Sequence, residues 1–167
     1  ENNDFLNPTL FRELFLAPFV AEEVRQHTGP FIFQFQPMWR TDSSARDRFF
    51  DRLDAFFAGL PTNFRYAVEL RNPEMLTPRY FGILNEHGAT HCFNHWGGMP
   101  PLVEQMRAAA AAGGLQANWY VARLLTPLGL GYKQSVERFS PYERLGQVQP
   151  QMRSDVLRLA RRALDRG

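Results

Sequence analysis

The sequence is poor in cysteine and has no long apolar run. Cys92 is the single cysteine among 167 residues, so neither a disulfide within the chain nor a cluster of thiolate metal ligands can form. Because reduced cysteine is typical of the cell interior, we expect a cytoplasmic location. No apolar stretch in the sequence approaches the roughly 20 residues that a membrane-spanning helix needs, so we expect no membrane partner.

The charge balance and the glycine pattern exclude further classes of protein. The formal net charge of +2 is too small to predict nucleic-acid binding, although a pI of about 9.0 keeps that alternative open. No glycine-rich dinucleotide fingerprint and no P-loop follows a predicted strand. The segment GLGYKQS has the wrong spacing for a phosphate loop. A nucleotide-binding sheet is therefore disfavoured.

Core-forming residues are abundant and are arranged in alternating strand and helix patterns. Hydrophobic residues make up 44% of the chain and phenylalanine occurs 15 times, which is enough for one packed domain. Alternation with period two predicts strands over residues 31–37, 65–70, 89–96 and 118–125. Apolar residues at helical spacing predict helices over residues 10–27, 44–61, 77–88, 101–114 and 151–167.

This alternation predicts the fold class. Strands separated by helices imply right-handed βαβ units and a parallel sheet. We therefore predict an α/β fold, a parallel β/α barrel that is TIM-barrel-like, present as a partial barrel of four βα units. Ser43 or Ser44 is the expected N-cap of the helix over 44–61, and Thr77 that of the next helix. The segment before the last helix is predicted to be a long loop, which contains Tyr132.

The segment YAVELRNPEM, residues 66–75, places a carboxylate and a guanidinium on one face of a strand. Glu69 and Arg71 are two residues apart, so their side chains point to the same side, while Val68 and Leu70 point to the other. Because active sites in β/α barrels lie at the C-terminal strand ends, we expect both charged side chains to face inward at the barrel mouth.

The other predicted strands show the same change toward polar residues on one face. Each carries a mostly apolar set on the opposite face, which suits packing against outer helices. The inward-facing polar sets are Gln34 and Gln36, then Glu69 and Arg71, then Asn94 and Trp96, and finally Arg123. These side chains either satisfy one another in a structural network or form a ligand site.

Among these residues we distinguish candidate catalytic and binding roles. Glu69, Arg71 and Arg123 are the candidate catalytic residues, with Glu69 either a general acid or base or an ion-pair partner of the arginines. The guanidinium groups suit an anion. The candidate ligand-binding residues are Gln34, Gln36, Asn94, Trp96 and Tyr132.

Histidine and cysteine give no metal or nucleophile prediction. His91 and His95 lie four residues apart, but in a strand this spacing puts both on the helix-facing side. We predict no metal site from them, and Cys92 is expected to be a buried thiol.

Several segments together resemble the domain-of-unknown-function 72 family. They are GPFIFQFQP, LPTNFRYAVELRNPEML, ATHCFNHW, WYVARLL and YKQSVERFSPYERL. Their order and spacing match the family from about Asn7 to Arg166, and the V-E-x-R-[NH]-P strand end is the most specific element. On this resemblance, Gln34, Glu69, Arg71, Asn94 and Arg123 fall on family positions at strand ends.

The resemblance implies a TIM-barrel-like fold but no settled activity. Family members usually carry further strands on both sides, so we expect residues 1–167 to be a single domain that is a fragment of a longer barrel. The family fold is similar to metal-dependent sugar isomerases and abasic-site endonucleases, which is analogy of fold only.

The functional hypothesis is a polar ligand or catalytic site at the C-terminal strand ends, for a sugar or phosphate-containing substrate. The alternatives are a nucleic-acid-binding barrel and a non-catalytic module that binds a small ligand. Whether the protein is an enzyme, its cofactor and its oligomeric state are left unassigned. From the sequence alone, Glu69→Gln is expected to fold and to lose ligand binding or turnover.

Overall fold

The structure of the protein is a computed structural model that describes residues 2, 4–38 and 42–165. Four parallel strands lie in the order β1-β2-β3-β4 and curve into half of a barrel, which confirms the predicted α/β, TIM-barrel-like fold class. The strands are β1 (Phe31–Gln34), β2 (Tyr66–Glu69), β3 (Thr90–His95) and β4 (Val121–Leu124).

Seven α-helices connect and cover the strands in the described part of the chain. They are α1 (Pro8–Leu10), α2 (Glu22–Arg25), α3 (Ser43–Ala58), α4 (Pro78–Glu86), α5 (Leu102–Ala111), α6 (Tyr132–Phe139) and α7 (Pro150–Leu164). None of these helices has both the length and the apolar character that a membrane span requires.

Two helix starts test the predicted caps. The Asp42 carboxylate accepts a hydrogen bond of 2.8 Å from the Ala45 backbone N–H, so the N-cap of α3 is Asp42, and the prediction of Ser43 or Ser44 was wrong. Both serines lie inside the first turn, because a carboxylate one residue earlier satisfies the free N–H group. The Thr77 hydroxyl accepts from the Tyr80 N–H at 3.3 Å and caps α4 as predicted.

The predicted helix over residues 10–27 is divided into short pieces. α1 continues directly into a π-helical segment, Phe11–Leu16, and a 3-10 turn, Ala17–Phe19, before α2 begins at Glu22. Pro18 lies in the 3-10 turn, where its missing N–H group and fixed ring prevent a regular α-helix from continuing.

The predicted long loop after the fourth strand contains a helix, so that part of the prediction was wrong. Tyr132 is the first residue of α6 and not a loop residue. The helix starts where the Gln134 side-chain oxygen accepts from the Gly131 N–H at 3.1 Å. Its eight residues carry apolar side chains at Tyr132, Val136 and Phe139, a pattern too short to stand out in the sequence. Residues 166 and 167 of the predicted last helix lie outside the described residues.

The hydrophobic core lies between the convex face of the sheet and helices α3, α4 and α5. Phe50, Leu53 and Phe81 are almost completely buried there, and each contributes about 1.5–3 kcal/mol through burial. The ring centroids of Phe33 in β1 and Phe56 in α3 lie 5.0 Å apart in a perpendicular arrangement. The abundant phenylalanine of the sequence therefore joins the sheet to the helix layer.

A buried polar chain crosses this core at His91. The Tyr80 hydroxyl lies 2.9 Å from His91 Nδ1, and His91 Nε2 lies 3.1 Å from the Gln105 side-chain oxygen. The Gln105 amide nitrogen donates to the Asn94 and Pro100 carbonyls at 2.8 Å, so its oxygen is the atom that faces His91. We therefore assign the neutral tautomer in which Nε2 donates and Nδ1 accepts.

The protonation of His91 links stability to acid pH. Burial lowers the pKa of His91 to about 4, whereas the ordinary value is 6.5. The unfolded chain binds a proton at His91 as the pH falls through 6.5, and the folded chain does not until about 4. The free energy of unfolding is therefore expected to fall by about 3 kcal/mol between pH 6.5 and pH 4 through this group alone.

Urea unfolding at several pH values, followed by far-UV circular dichroism, measures this loss. In His91→Gln the free energy of unfolding should depend clearly less on pH between 6.5 and 4. The control His27→Gln, which alters an exposed histidine, should show the same pH dependence as the native chain. An unchanged slope in His91→Gln would show that other groups cause the acid sensitivity.

A second buried pair attaches the last helix to the sheet. His95 Nε2 at the end of β3 lies 2.9 Å from Asp155 Oδ2 in α7, and both side chains are almost fully buried. The Gln151 amide also donates to both Asp155 oxygens at 3.1 Å. The two histidines of β3 thus point toward the helices, as predicted, and each takes a polar partner there.

Candidate functional site

A buried carboxylate at the end of β2 holds two arginine side chains. Glu69 is 0% exposed; its Oε2 accepts from Arg123 Nη1 at 2.6 Å and its Oε1 accepts from Arg71 Nε at 3.3 Å. The sequence positions of the three residues span β2, the turn after it and β4. The structure therefore brings all three candidate catalytic residues into contact on the concave face of the sheet.

Gln34 completes this group from the other edge of the sheet. Its side-chain oxygen accepts a hydrogen bond from Arg123 Nη1, although Gln34 belongs to β1 and Arg123 to β4. The contact spans the concave face because the sheet is strongly curved. We refer to Gln34, Glu69, Arg71 and Arg123 as the arginine–carboxylate cluster.

An aromatic pair borders the cluster at the strand ends. The Arg71 guanidinium carbon lies 3.9 Å from the centre of the Trp96 ring, a close cation–π contact. The Trp96 and Tyr132 rings lie 6.1 Å apart between centroids. Because Tyr132 is 69% exposed, this pair forms the solvent-facing side of the site.

The remaining predicted binding residues differ in position. Asn94 is completely buried in β3, and its amide nitrogen donates to the Leu70 carbonyl at 3.0 Å and to the Cys92 carbonyl at 3.4 Å. Gln36 is exposed beyond the end of β1, and no hydrogen bond within the described part of the chain joins it to the cluster. The structure thus groups Gln34, Trp96 and Tyr132 with the charged residues but leaves Gln36 apart.

Cys92 lies on the same concave face, two residues before Asn94 in β3. Burial and, to a smaller extent, the negative charge of Glu69 together raise the pKa of its thiol to about 12, against a smaller opposing effect of Arg123. The thiol is therefore neutral near pH 7 and is a poor nucleophile.

A small pocket lies directly beside the aromatic pair. It has a volume of about 90 Å³ and is lined by Trp96, Gly97, Gly98, Thr126, Leu130, Gly131 and Tyr132. Gly97 is required here, because an added Cβ would lie 2.2 Å from the Leu130 carbonyl oxygen. This close approach of two loops shapes the pocket. A wider apolar groove of about 650 Å³ runs along β1 and the N-terminal segment, and it shares Gln34 with the cluster.

Two polar groupings outside the cluster were not predicted from the sequence, although His95 was considered by itself. The His95–Asp155 pair joins β3 to α7, and Asp155 is signalled only by its helical spacing to the partly buried Met152 and Leu159. A second group consists of Asp54 in α3, Glu86 at the end of α4 and His87 directly after it. Their potential metal-binding atoms all lie within 4.8 Å of one another. The His87 ring contacts Asp54 at 2.6 Å, and nothing in the local sequence links these positions.

The fold and the cluster define a parallel β/α half-barrel whose polar residues gather at the C-terminal strand ends. A family model described as "Protein of unknown function DUF72" matches residues 8–155, and the chain belongs to this family. No curated protein and no solved structure matches the chain. The family match confirms the resemblance seen in the sequence and adds no activity.

Proposed function

We propose that the protein binds a small phosphate-containing anion at the arginine–carboxylate cluster. The observation that carries this proposal is the charge of the cluster: two guanidinium groups share one carboxylate, which leaves one positive charge in excess. The Arg71 side chain is only 9% exposed and that of Arg123 33% exposed, so this charge is poorly screened by solvent.

The hydrogen-bond donors of the two arginines support the same proposal. Each guanidinium uses one nitrogen for Glu69, and the structure gives the other nitrogens no hydrogen-bond partner within the ranges it describes. Guanidinium groups bind phosphate through pairs of parallel N–H···O bonds. The cluster therefore retains both the charge and the donors that a phosphate group requires.

The aromatic pair adds a surface for the rest of the ligand. Trp96 and Tyr132 lie at the solvent side of Arg71, where a sugar ring or a base would stack. The small volume of the adjacent pocket, about 90 Å³, fits a compact group and not a polymer. A sugar phosphate is accordingly the substrate class that the sequence and the geometry favour together.

We assign Glu69 a positioning role in this site. Both of its oxygens face a guanidinium nitrogen, so the carboxylate orients the two arginines toward a common ligand. A general base needs a free oxygen within reach of the proton that it removes. We therefore propose a binding function, in which Glu69 is an ion-pair partner of the two arginines and not a general acid or base.

Isothermal titration calorimetry with glucose 6-phosphate and with inorganic phosphate tests this function. Arg71→Gln and Arg123→Gln are each expected to weaken binding by about 10- to 100-fold, since a hydrogen bond to a charged group contributes roughly 1.5–3 kcal/mol. The matched control is Arg153→Gln on the exposed surface of α7, which should leave the affinity unchanged. Equal affinities in the native chain and both cluster variants would refute the proposal.

Nucleic-acid binding makes a different prediction with the same variants. A single-stranded oligonucleotide would bind with a steep dependence on salt and would respond to Arg153→Gln as much as to the cluster variants. Binding of the oligonucleotide but not of the two phosphates would therefore replace the proposed function with that alternative.

A further inference from the structure

A buried oxygen of Asn94 is the feature that extends the proposed function. Asn94 is 0% exposed, and its Oδ1 has no hydrogen-bond donor within the described residues. Buried side-chain acceptors of folded proteins are normally paired, so such an atom calls for an explanation.

The orientation of the Asn94 amide is fixed by its surroundings. Its nitrogen donates to the Leu70 and Cys92 carbonyls, at 3.0 Å and 3.4 Å. Turning the amide over would place Oδ1 against two carbonyl oxygens, which repel it. The unpaired atom is therefore the acceptor, and a partner for it must bring an O–H or N–H group.

The register of the strands locates this acceptor within the site. Asn94 in β3 is directly paired with Arg123 in β4. On the other side, the Asn94 amide nitrogen donates to the carbonyl of Leu70, the residue before Arg71, at 3.0 Å. Asn94 thus lies beside Arg123 in β4 and next to the chain segment that carries Arg71.

We infer that the ligand is a hydroxylated phosphate ester, whose phosphate binds Arg71 and Arg123 and whose hydroxyl donates to Asn94 Oδ1. This inference rests on the proposed function and names the second group that the site recognises. Arg123, the directly paired neighbour of Asn94, is the more exposed of the two arginines, at 33%, and its side chain must move so that the ligand reaches Asn94. A phosphate ester without a hydroxyl leaves the acceptor unpaired and binds less tightly.

Glycerol 3-phosphate and n-propyl phosphate provide the test, because they differ only in two hydroxyl groups. The native chain is expected to bind glycerol 3-phosphate about tenfold more tightly in calorimetry. In Asn94→Ala this preference should disappear, while the affinity for n-propyl phosphate stays within about threefold of the native value. The comparison in the native chain needs no variant, so it holds even where Asn94→Ala fails to fold.

Thr90→Val is the matched control. Thr90 lies four residues before Asn94 on the same face and has a buried hydroxyl without a partner in the described part of the chain, so its variant should keep the tenfold preference. Equal binding of the two esters, or loss of the preference in Thr90→Val alone, would overturn the inference and leave the proposed function standing. Failure of both esters and of inorganic phosphate to bind would instead remove the proposed function.

Discussion

Replacing Glu69 by glutamine is expected to lower the free energy of unfolding by about 3–5 kcal/mol. The neutral amide is nearly the same size as the carboxylate, but it has no negative charge to balance the positive charges of Arg71 and Arg123. Glu69 is completely buried and the Arg71 side chain is only 9% exposed, so water cannot replace the carboxylate as the partner of the Arg71 guanidinium. Urea unfolding at pH 7, monitored by far-UV circular dichroism, measures the change.

The control for this variant is Glu143→Gln, which alters an exposed carboxylate and should change stability by less than about 0.5 kcal/mol. The expected loss differs from the expectation from the sequence alone, in which Glu69→Gln leaves folding nearly intact and abolishes ligand binding or turnover. The sequence places Glu69 at a strand end but does not reveal its complete burial. A Glu69→Gln variant as stable as the native chain would show that the arginines repack easily without the carboxylate.

Replacing Asp155 by asparagine is expected to lower the free energy of local unfolding of α7 by about 3–5 kcal/mol, because the helix loses its buried attachment to the sheet. Asp155 accepts from the His95 ring at 2.9 Å and from the Gln151 amide at 3.1 Å, and its side chain is 0% exposed. An asparagine keeps the shape but presents one nitrogen to these donors. Hydrogen exchange followed by mass spectrometry should show faster exchange across α7 than in the native chain.

Arg158→Gln is the control for the α7 experiment. Arg158 Nε lies 4.0 Å from Asp155 Oδ1, but its side chain is 48% exposed, so its loss should cost less than about 1 kcal/mol. Exchange in β1 and α3 should be unchanged in both variants, since neither element belongs to the His95–Asp155 pair. Equal protection of α7 in Asp155→Asn and in the native chain would mean that apolar packing alone holds the helix.

Local sequence patterns were sufficient for most of the fold. Period-two alternation located all four strands, because side chains of a strand point alternately to the two faces wherever the strand lies. The same argument predicted which face of β2 carries Glu69 and which faces of β3 carry the histidines. The patterns failed where an element was short, as in α6, and where several residue types compete for one role, as at the cap of α3.

The residues of the candidate site were likewise predicted only in part from the sequence. Alternation and the strand ends selected Glu69, Arg71 and Arg123 together with Gln34 and Trp96, and these side chains do lie together. Gln36 followed the same pattern, yet β1 ends before it and the exposed segment leaves it outside the cluster. Two residues beyond a strand end, the pattern of faces therefore held for Arg71 after β2 but not for Gln36 after β1.

The sequence by itself determined the four strands and their two faces, most of the helices and the family of the chain. Only the tertiary structure decided which charged groups meet: Arg123 reaches Glu69 across 54 residues and Gln34 across 89, and His95 meets Asp155 across 60. The physical reason is that alternation depends on neighbouring residues, whereas these contacts depend on strand register and on the curvature of the sheet. The excess positive charge of the cluster arises from the contacts of Arg123 with Glu69 and Gln34.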